Sequence, residues 1–238
     1  MKKIYLTLIL VCTNLQAQIN IYSHRHYDSD KILFQKFTDQ TGIKINVIKG
    51  SADQLIERLI SEGGNSPADI LLTVDAGRLH RAKVAGILQP IESKILSENI
   101  PPSMRDEDGY WFGLTVRARV LVYSKERVTP DQLSTYEDLA NRKWRGKIAV
   151  RSSSNIYNQS LMASIIASNG SRKALTWAKS IRKNMARAPR GSDRDQARAV
   201  AAGLADVAIM NTSYLGILAN SPDAKDREVF KKVSVFFP

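Results

Sequence analysis

Two spacings of apolar residues alternate along the first half of the chain. Short apolar runs predict buried strands, and longer segments with apolar residues three or four positions apart predict amphipathic helices. Gly42, Gly63 and Gly86 stand where three of these helices should end. The predicted elements are strands over residues 19–22, 43–48 and 69–74, alternating with helices over residues 28–41, 52–62 and 76–86.

The pattern changes after Pro101. Residues 110–124 are apolar and rich in β-formers, which predicts a pair of strands or one long strand that crosses between lobes. The alternation restarts after Pro130. The elements predicted there are helices over residues 135–140, 155–168, 172–185, 193–202 and 212–219, and strands over residues 147–150 and 205–210.

This order predicts an α/β fold of two lobes joined by β crossover strands. The first lobe would take residues 18–112, the crossover residues 113–124 and the second lobe residues 125–232. Residues 233–238 would begin a return toward the first lobe. They read as a buried strand with nothing to cover it, so we expect a chain truncated at its C-terminus.

The N-terminal residues 1–17 have the pattern of a secretory signal peptide. Lys2 and Lys3 precede a short apolar run over residues 4–12, and Ala17 closes a plausible cleavage site. The run is too short to span a bilayer, and a buried N-terminal strand is the alternative. A lipoprotein at Cys12 is disfavoured by the bulk of Val11. We expect a soluble protein exported to the periplasm.

Composition narrows the possible chemistry. Cys12 is the only cysteine, so the mature protein would have none, which excludes disulfides, thiolate metal sites and cysteine nucleophiles. The net charge of +12 can favour anionic partners or an anionic membrane surface, although a solvated basic surface is the better explanation of most of these charges. The chain lacks the interleaved aromatic and basic residues of nucleic-acid-binding modules, so no nucleic-acid partner is expected.

Three tyrosines stand at strand-to-helix junctions. Tyr27 follows the first strand within the polar loop of residues 23–28, Tyr157 opens a helix in the second lobe, and Tyr214 opens another. In open α/β sheets, the loops at the carboxyl ends of strands form the ligand crevice. The three phenols could therefore converge on one cleft. Loop tyrosines that only pack or cap the sheet remain the alternative.

As a ligand, a phenol favours one kind of metal ion. A phenol has a pKa near 10, so a strongly Lewis-acidic cation is needed to displace its proton at neutral pH. Fe³⁺ is hard and suits anionic oxygen donors, and three tyrosinates would neutralise its charge. The spacing of the tyrosines alone does not decide between an iron site and simple packing.

Four stretches closely resemble the periplasmic ferric-iron-binding proteins of bacterial ABC importers. They are residues 22–28, 72–78, 144–148 and 151–159, and the similarity covers essentially the whole mature chain. The resemblance implies a two-lobed periplasmic-binding-protein fold of type II that closes on Fe³⁺ and delivers it to an inner-membrane ABC permease. It also implies that Tyr27 and Tyr157 are iron ligands. His26 matches a position that is a ligand in some members.

The third site departs from the family pattern. The family usually places adjacent tyrosines here, and Tyr214 matches the second of them while Ser213 replaces the first. A water or a small anion could complete the coordination of iron. The family also continues well beyond Pro238, which agrees with a truncated chain.

Other functions find less support in the residues. The serines at 152–154 could hold an anion before a helix N-terminus, although capping explains them at least as well. Ser23 with His24 or His26 is not set in a nucleophile elbow, so an enzyme is not expected. The runner-up function is a binding protein for another small solute, an anion or an organic cation. We expect a monomer.

Overall fold

The computed structural model describes residues 17–25 and 27–238. They form two compact units, one running to Phe112 and the other from Gly113 to Pro238. Each unit combines a β-sheet with helices, so the predicted two-lobed α/β fold is confirmed. His26 and residues 1–16 of the predicted signal peptide lie outside the described residues. Among the helices described, none is both long enough and apolar enough to cross a bilayer.

The first unit is built on a parallel three-stranded sheet of order β2-β1-β3. Its strands are β1 (Gln18–Ser23), β2 (Lys44–Lys49) and β3 (Ile70–Leu72). Its helices are α1 (Asp28–Thr41), α2 (Ala52–Glu62), α3 (Ala76–Val84) and α4 (Lys94–Asn99), with 3-10 turns at Gly63–Asn65 and Pro102–Met104.

Helix α2 shows which local signals in the sequence predict a helix of this unit correctly. Leu55 and Leu59, one turn apart, pack against Tyr22 of β1 in a small core. Ser51 caps the helix, and its side chain and that of Gln54 satisfy each other's backbone N–H groups. The helix therefore begins and ends at the predicted residues.

Burial in the first unit is less complete than predicted. Residues 69–74 were expected to form a strand buried on both faces, but β3 is only Ile70–Leu72 and Ile70 is exposed. Because β3 stands at the edge of the described sheet, one of its sides has no strand neighbour. Ile32 and Leu33 of α1 are also exposed.

The second unit is built on a mixed four-stranded sheet of order β5-β6-β4-β7. Its strands are β4 (Arg119–Ser124), β5 (Ile148–Ala149), β6 (Val207–Asn211) and β7 (Val233–Phe236). Its helices are α5 (Ile156–Asn169), α6 (Ser171–Asn184), α7 (Asp193–Ala201), α8 (Ser213–Ala219) and α9 (Ala224–Lys232), with 3-10 turns at Pro130–Gln132, Glu137–Ala140 and Arg142–Trp144.

Strand β4 lies at the centre of this unit. Val120, Leu121 and Val122 are fully buried, with Leu121 in one apolar cluster and the two valines in another. Successive side chains of a strand point to opposite faces, so the two clusters lie on the two sides of the sheet. Burial on both faces explains why this strand is continuously apolar in sequence.

The strand is shorter than the stretch predicted to cross between lobes. Residues 113–118 have no regular secondary structure, and Leu114 and Val116 are exposed. The ladder begins only at Arg119, where β6 supplies a partner strand. Residues 233–236 form β7, which pairs antiparallel with β4 in the second unit.

Candidate metal centre

The strand order brings several loops of the second unit to one edge of its sheet, the edge at which the parallel strands β5 and β6 have their carboxyl ends. Strands β5 and β6 are parallel, so the loops that lead to Tyr157 and Tyr214 leave from the same edge. Strand β4 is antiparallel to β6, and its first residue Arg119 pairs with Asn211, the last residue of β6. The start of β4 therefore lies at this edge too.

Tyr157 lies in the first turn of α5, partly buried. Asn155 caps this helix, since its side-chain oxygen accepts a hydrogen bond from the Tyr157 backbone N–H at 3.2 Å. The phenol oxygen of Tyr157 accepts a hydrogen bond from Nη1 of Arg117 at 2.5 Å. Tyr157 is therefore held at its backbone by Asn155 and at its hydroxyl by Arg117.

Three guanidinium groups surround the ring of Tyr157. The Cζ atoms of Arg117, Arg119 and Arg151 lie 5.8, 5.8 and 5.9 Å from the ring centroid. Each separation falls within the range of cation–π contact. The surroundings of this phenol are therefore strongly positive, which favours an anion or an anionic ligand oxygen at this edge.

Asp193 positions two of the three guanidinium groups. Its carboxylate is fully buried, and it accepts hydrogen bonds from Nη1 of Arg119 at 2.9 Å and from Nη1 of Arg151 at 2.8 Å. Asp193 is the first residue of α7, so the positive end of that helix dipole also lies at this carboxylate. The start of α7 thus fixes one side chain from β4 and one from the loop after β5.

Two asparagines bond to this ion-pair network, and one of them, Asn158, also bonds to the loop before Tyr157. Arg119 donates to the side-chain oxygens of Asn158, at 2.5 Å, and Asn211, at 3.0 Å. Asn158 in turn donates to the backbone oxygens of Arg151, at 2.8 Å, and Ser152, at 3.1 Å. The loop between β5 and α5 is therefore held by a side chain of α5.

Tyr214 opens α8 beside Ser213. Its ring is partly buried and packs against the apolar cluster that contains Leu215, whereas Ser213 is exposed. The N–H of Thr212 donates to the backbone oxygen of Ala118 at 3.0 Å, which ties the start of α8 to the segment before β4. The structure therefore places Tyr157 and Tyr214 at the same edge of one sheet, as the sequence predicted.

Tyr27 belongs to the first unit, where it precedes α1 at the carboxyl end of β1. The guanidinium of Arg25 lies 5.0 Å from its ring centroid and forms a two-pronged ion pair with Asp30, at 2.8 and 2.9 Å. The hydrogen bonds that Arg25 donates to Asp30 raise the pKa of its guanidinium. Tyr27, like Tyr157, is thus a phenol near a helix start with a fixed positive charge beside it.

The serines at 152–154 do not cap α5, because Asn155 does. The hydroxyls of Ser152 and Ser154 lie 2.8 Å apart, and the N–H of Ser154 donates to Ser152 Oγ at 3.2 Å.

Tyrosine is the main oxygen donor left for a metal in this part of the chain. Within residues 17–25 and 27–238, no three His, Cys, Asp or Glu side chains stand close enough together to hold a metal ion. Phenol oxygens suit a cation that binds anionic oxygen far better than one that prefers imidazole or thiolate.

Sequence reasoning missed the arginines and the aspartate of this network. Arg117 and Arg119 stand out as two cations in an apolar run, and that was the available signal. Asp193 gave none beyond an ordinary helix start, because its partners are distant in sequence.

Comparison with known proteins decides the family. Residues 65–238 match the model of the bacterial extracellular solute-binding protein family. The chain belongs to this family.

Relatives of this solute-binding protein have been characterised in several bacteria. Iron uptake protein A1 of Synechocystis is 52% identical over 94% of the chain, and the chain spans 62% of that protein's length. A Trichodesmium protein solved in complex with iron and citrate ligands is 54% identical, with a TM-score of 0.90 over 93% of this chain and 70% of that one. The ferric binding protein of Campylobacter jejuni is 47% identical, with a TM-score of 0.88 over 92% of this chain and 70% of that one.

Proposed function

We propose that this solute-binding protein captures ferric iron through tyrosinate ligands and hands it to an ABC importer. The observation that carries the proposal is the shared edge of the second unit, where the loops of Tyr157 and Tyr214 leave neighbouring parallel strands. The relatives named above, which are described by iron uptake or ferric binding, support the choice of cargo.

The proposed iron ligands are Tyr27, Tyr157 and Tyr214, with His26 as a further ligand. Tyr27 and His26 come from the first unit, and the other two from the second. Three tyrosinates would match the charge of Fe³⁺, and each phenol would release its proton to water when the metal binds. Protons then compete with iron, so the affinity should fall on acidification.

Arg117 would act on the ligand rather than on the iron. It donates to the phenol oxygen of Tyr157 at 2.5 Å, and a phenolate oxygen has further lone pairs for a metal. Hydrogen bonds of this kind orient metal ligands and tune them. The arginine would thus aim the Tyr157 oxygen and offset part of the negative charge that several tyrosinates bring together.

Ser213 leaves one place in the coordination sphere to a water or a small anion. It is exposed and stands next to Tyr214 at the start of α8. A serine hydroxyl is much harder to ionise than a phenol, so it is a poor substitute for a tyrosinate. A small anion at this edge would meet the guanidinium groups around Tyr157.

The biological setting follows from the family. We infer that the protein works in the periplasm as a monomer, carries Fe³⁺ as cargo without performing catalysis, and docks on an inner-membrane permease. Export would depend on the predicted signal peptide of residues 1–17, and sequencing the N-terminus of exported protein tests it. Retention of Met1 would contradict it.

The deciding experiment is a titration of the exported protein with a ferric chelate, followed by visible absorbance. A tyrosinate–ferric complex absorbs visible light by charge transfer. Tyr157→Phe removes a phenolate and keeps the ring, so we expect weaker absorbance and at least a tenfold loss of affinity. Tyr110→Phe is the matched control, because Tyr110 is a first-unit phenol outside the proposed ligand set. Wild-type absorbance and affinity in Tyr157→Phe would show that Tyr157 is not a ligand.

A second variant adds a ligand. Ser213→Tyr should tighten iron, since it supplies the phenolate that the family usually has, and Ser213→Phe should not. Equal affinities for these two variants would contradict the proposed geometry at α8.

A second candidate function is the binding of a small anion. The three guanidinium groups around Tyr157 favour it, because they create a positive site even without a metal. An anion binder would stay colourless on addition of iron. Calorimetry with citrate in the absence of iron separates the two functions: saturable binding without colour supports the anion, and colour with Fe³⁺ supports iron.

A further inference from the structure

Helix α6 carries an unusual set of charges for a surface helix. Its fourteen residues include five cations and no acidic residue. All five cations are exposed. They are Arg172, Lys173, Lys179, Arg182 and Lys183.

The helix is fixed with these charges outward. Ala174 and Ile181 are buried in the core of the second unit, and Trp177 packs against the same cluster. The indole N–H of Trp177 donates to the backbone oxygen of Tyr136 at 2.7 Å. The apolar stripe is therefore committed inward, and the cationic side is the one left to meet solvent or a partner.

Carboxylates do not neutralise this side of the helix. Among the residues that the structure describes, no acidic group lies within ion-pairing distance of any of the five α6 cations, whereas Arg198 on α7 pairs with both Asp195 and Asp226. Leu175 is 52% exposed between Arg172 and Lys179. The outward side thus combines uncompensated positive charge with one apolar side chain.

A segment that packs beside the end of α6 carries two more exposed cations. The side chain of Asn184 donates to the backbone oxygens of Leu139 and Asn141, both at 2.9 Å, and so holds this segment against the helix end. Arg142 and Arg145 follow directly, and both are exposed. We call these two arginines and the five cations of α6 the basic face.

We propose that the basic face binds the surface of an anionic phospholipid bilayer. Exposed lysines and arginines on a fixed helix can reach lipid phosphates while Leu175 contacts the headgroup layer. The contact is electrostatic, because the apolar stripe of α6 stays in the protein core. Contact with the membrane would restrict the search of the binding protein for an importer to two dimensions.

The expected strength follows from the charge. Each lysine or arginine near an anionic membrane surface contributes about a fivefold factor to partitioning, and salt screens the attraction over about 10 Å at 0.1 M. Removal of three cations should therefore weaken partitioning by at least about tenfold. Binding should also weaken as salt is added, because one exposed leucine contributes little.

The test is co-sedimentation of the exported protein with phosphatidylcholine vesicles, with or without phosphatidylglycerol. The variant combines Lys179→Gln, Arg182→Gln and Lys183→Gln. The matched control combines Lys36→Gln, Lys44→Gln and Lys49→Gln, which removes the same charge from exposed sites in the first unit. We expect salt-sensitive binding to the anionic vesicles by the wild type and the control, and at least a tenfold loss in the α6 variant.

Several results would overturn the proposal. Equal binding of the α6 variant and the wild type would show that the face is not used, and equal losses in both triple variants would show that only net charge matters. Failure of the wild type to bind anionic vesicles, with or without binding to an acidic protein, would also contradict it. Circular dichroism checks that the α6 variant folds. If it does not fold, Arg172→Gln with Lys173→Gln at the other end of the helix replaces it, with about a tenfold loss still expected.

Discussion

Asp193 is the residue on which the arrangement at the second unit's sheet edge depends most. Its carboxylate is 0% exposed, and it pairs with Arg119 and Arg151, which are themselves largely buried. A buried ion pair contributes little net stability compared with an apolar replacement, but loss of one partner leaves buried charge without compensation. Asp193 therefore compensates the buried positive charge of Arg119 and Arg151, and it also orients their side chains.

Asp193→Asn should lower the free energy of unfolding by about 3 kcal/mol, because two guanidinium groups would lose their counter-charge. Urea unfolding followed by fluorescence measures it. Asp131→Asn, at an exposed carboxylate, is the control and should change the free energy by less than about 0.5 kcal/mol. An equally small change for both variants would mean that the cluster is stabilised by other charges.

Helix α7 shows a capping box whose strength depends on pH. The N–H and hydroxyl of Ser192 both donate to Asp195, at 2.7 and 2.8 Å, and Arg198 pairs with the same carboxylate. The hydrogen bond from the Ser192 backbone is the main cause that lowers the pKa of Asp195 from 3.8 to about 2. The ionised carboxylate is therefore the form that stabilises the helix start.

Stability from this cap should be fully present above about pH 4 and should be lost as the pH falls toward 2, because the folded pKa lies below the unfolded one. The Asp195 side chain is 42% exposed, so solvent screening reduces the effect to about 1 kcal/mol. Thermal unfolding of the wild type and Asp195→Asn across this range measures it. The stability difference between the two proteins should shrink on acidification, and a constant difference would argue against the cap.

Elements were predictable where a local signal existed. Helix α2 has an apolar stripe, a capping box and Gly63, and its ends were predicted at the observed residues. Helices α4 and α9 were missed, because α4 is six residues long with none buried and α9 buries only Asp226. Without an apolar stripe, neither helix has the periodicity on which such a prediction rests.

Some residues of the candidate site could also be predicted from local features, and others could not. Tyr157 and Tyr214 were predictable because each follows a strand and opens a helix, which are local features. The arginines around Tyr157 were not, because their position depends on β4 pairing with β6 across 92 residues of sequence. The choice of partner strand is a property of the whole sheet.

At the scale of the molecule, the proposed ligands come from both units. Tyr27 belongs to the first, and Tyr157 and Tyr214 to the second. We propose that a single ion bound by all three would draw the two units together, by hinge closure around a ligand.

Small-angle scattering should therefore show a smaller radius of gyration when Fe³⁺ is added. Tyr157→Phe is the control, and the change should be reduced in it because one tether to the second unit is gone. A radius that does not respond to iron in the wild type would argue against a site shared between the units.

The central place of β4 also bears on the order in which the protein folds. In the first unit β1 finds β2 close by, with Asn20 bonded to Asn46 only 26 residues later. In the second unit β4 pairs with β6, and its residue Arg119 bonds to Asn211, 92 residues later in the chain. Its other partner, β7, follows later still. Distant pairings form slowly because the loop must close first. During synthesis or passage through a membrane, β4 therefore stays an unpaired apolar segment the longest, and it is the part of the chain on which a chaperone would act.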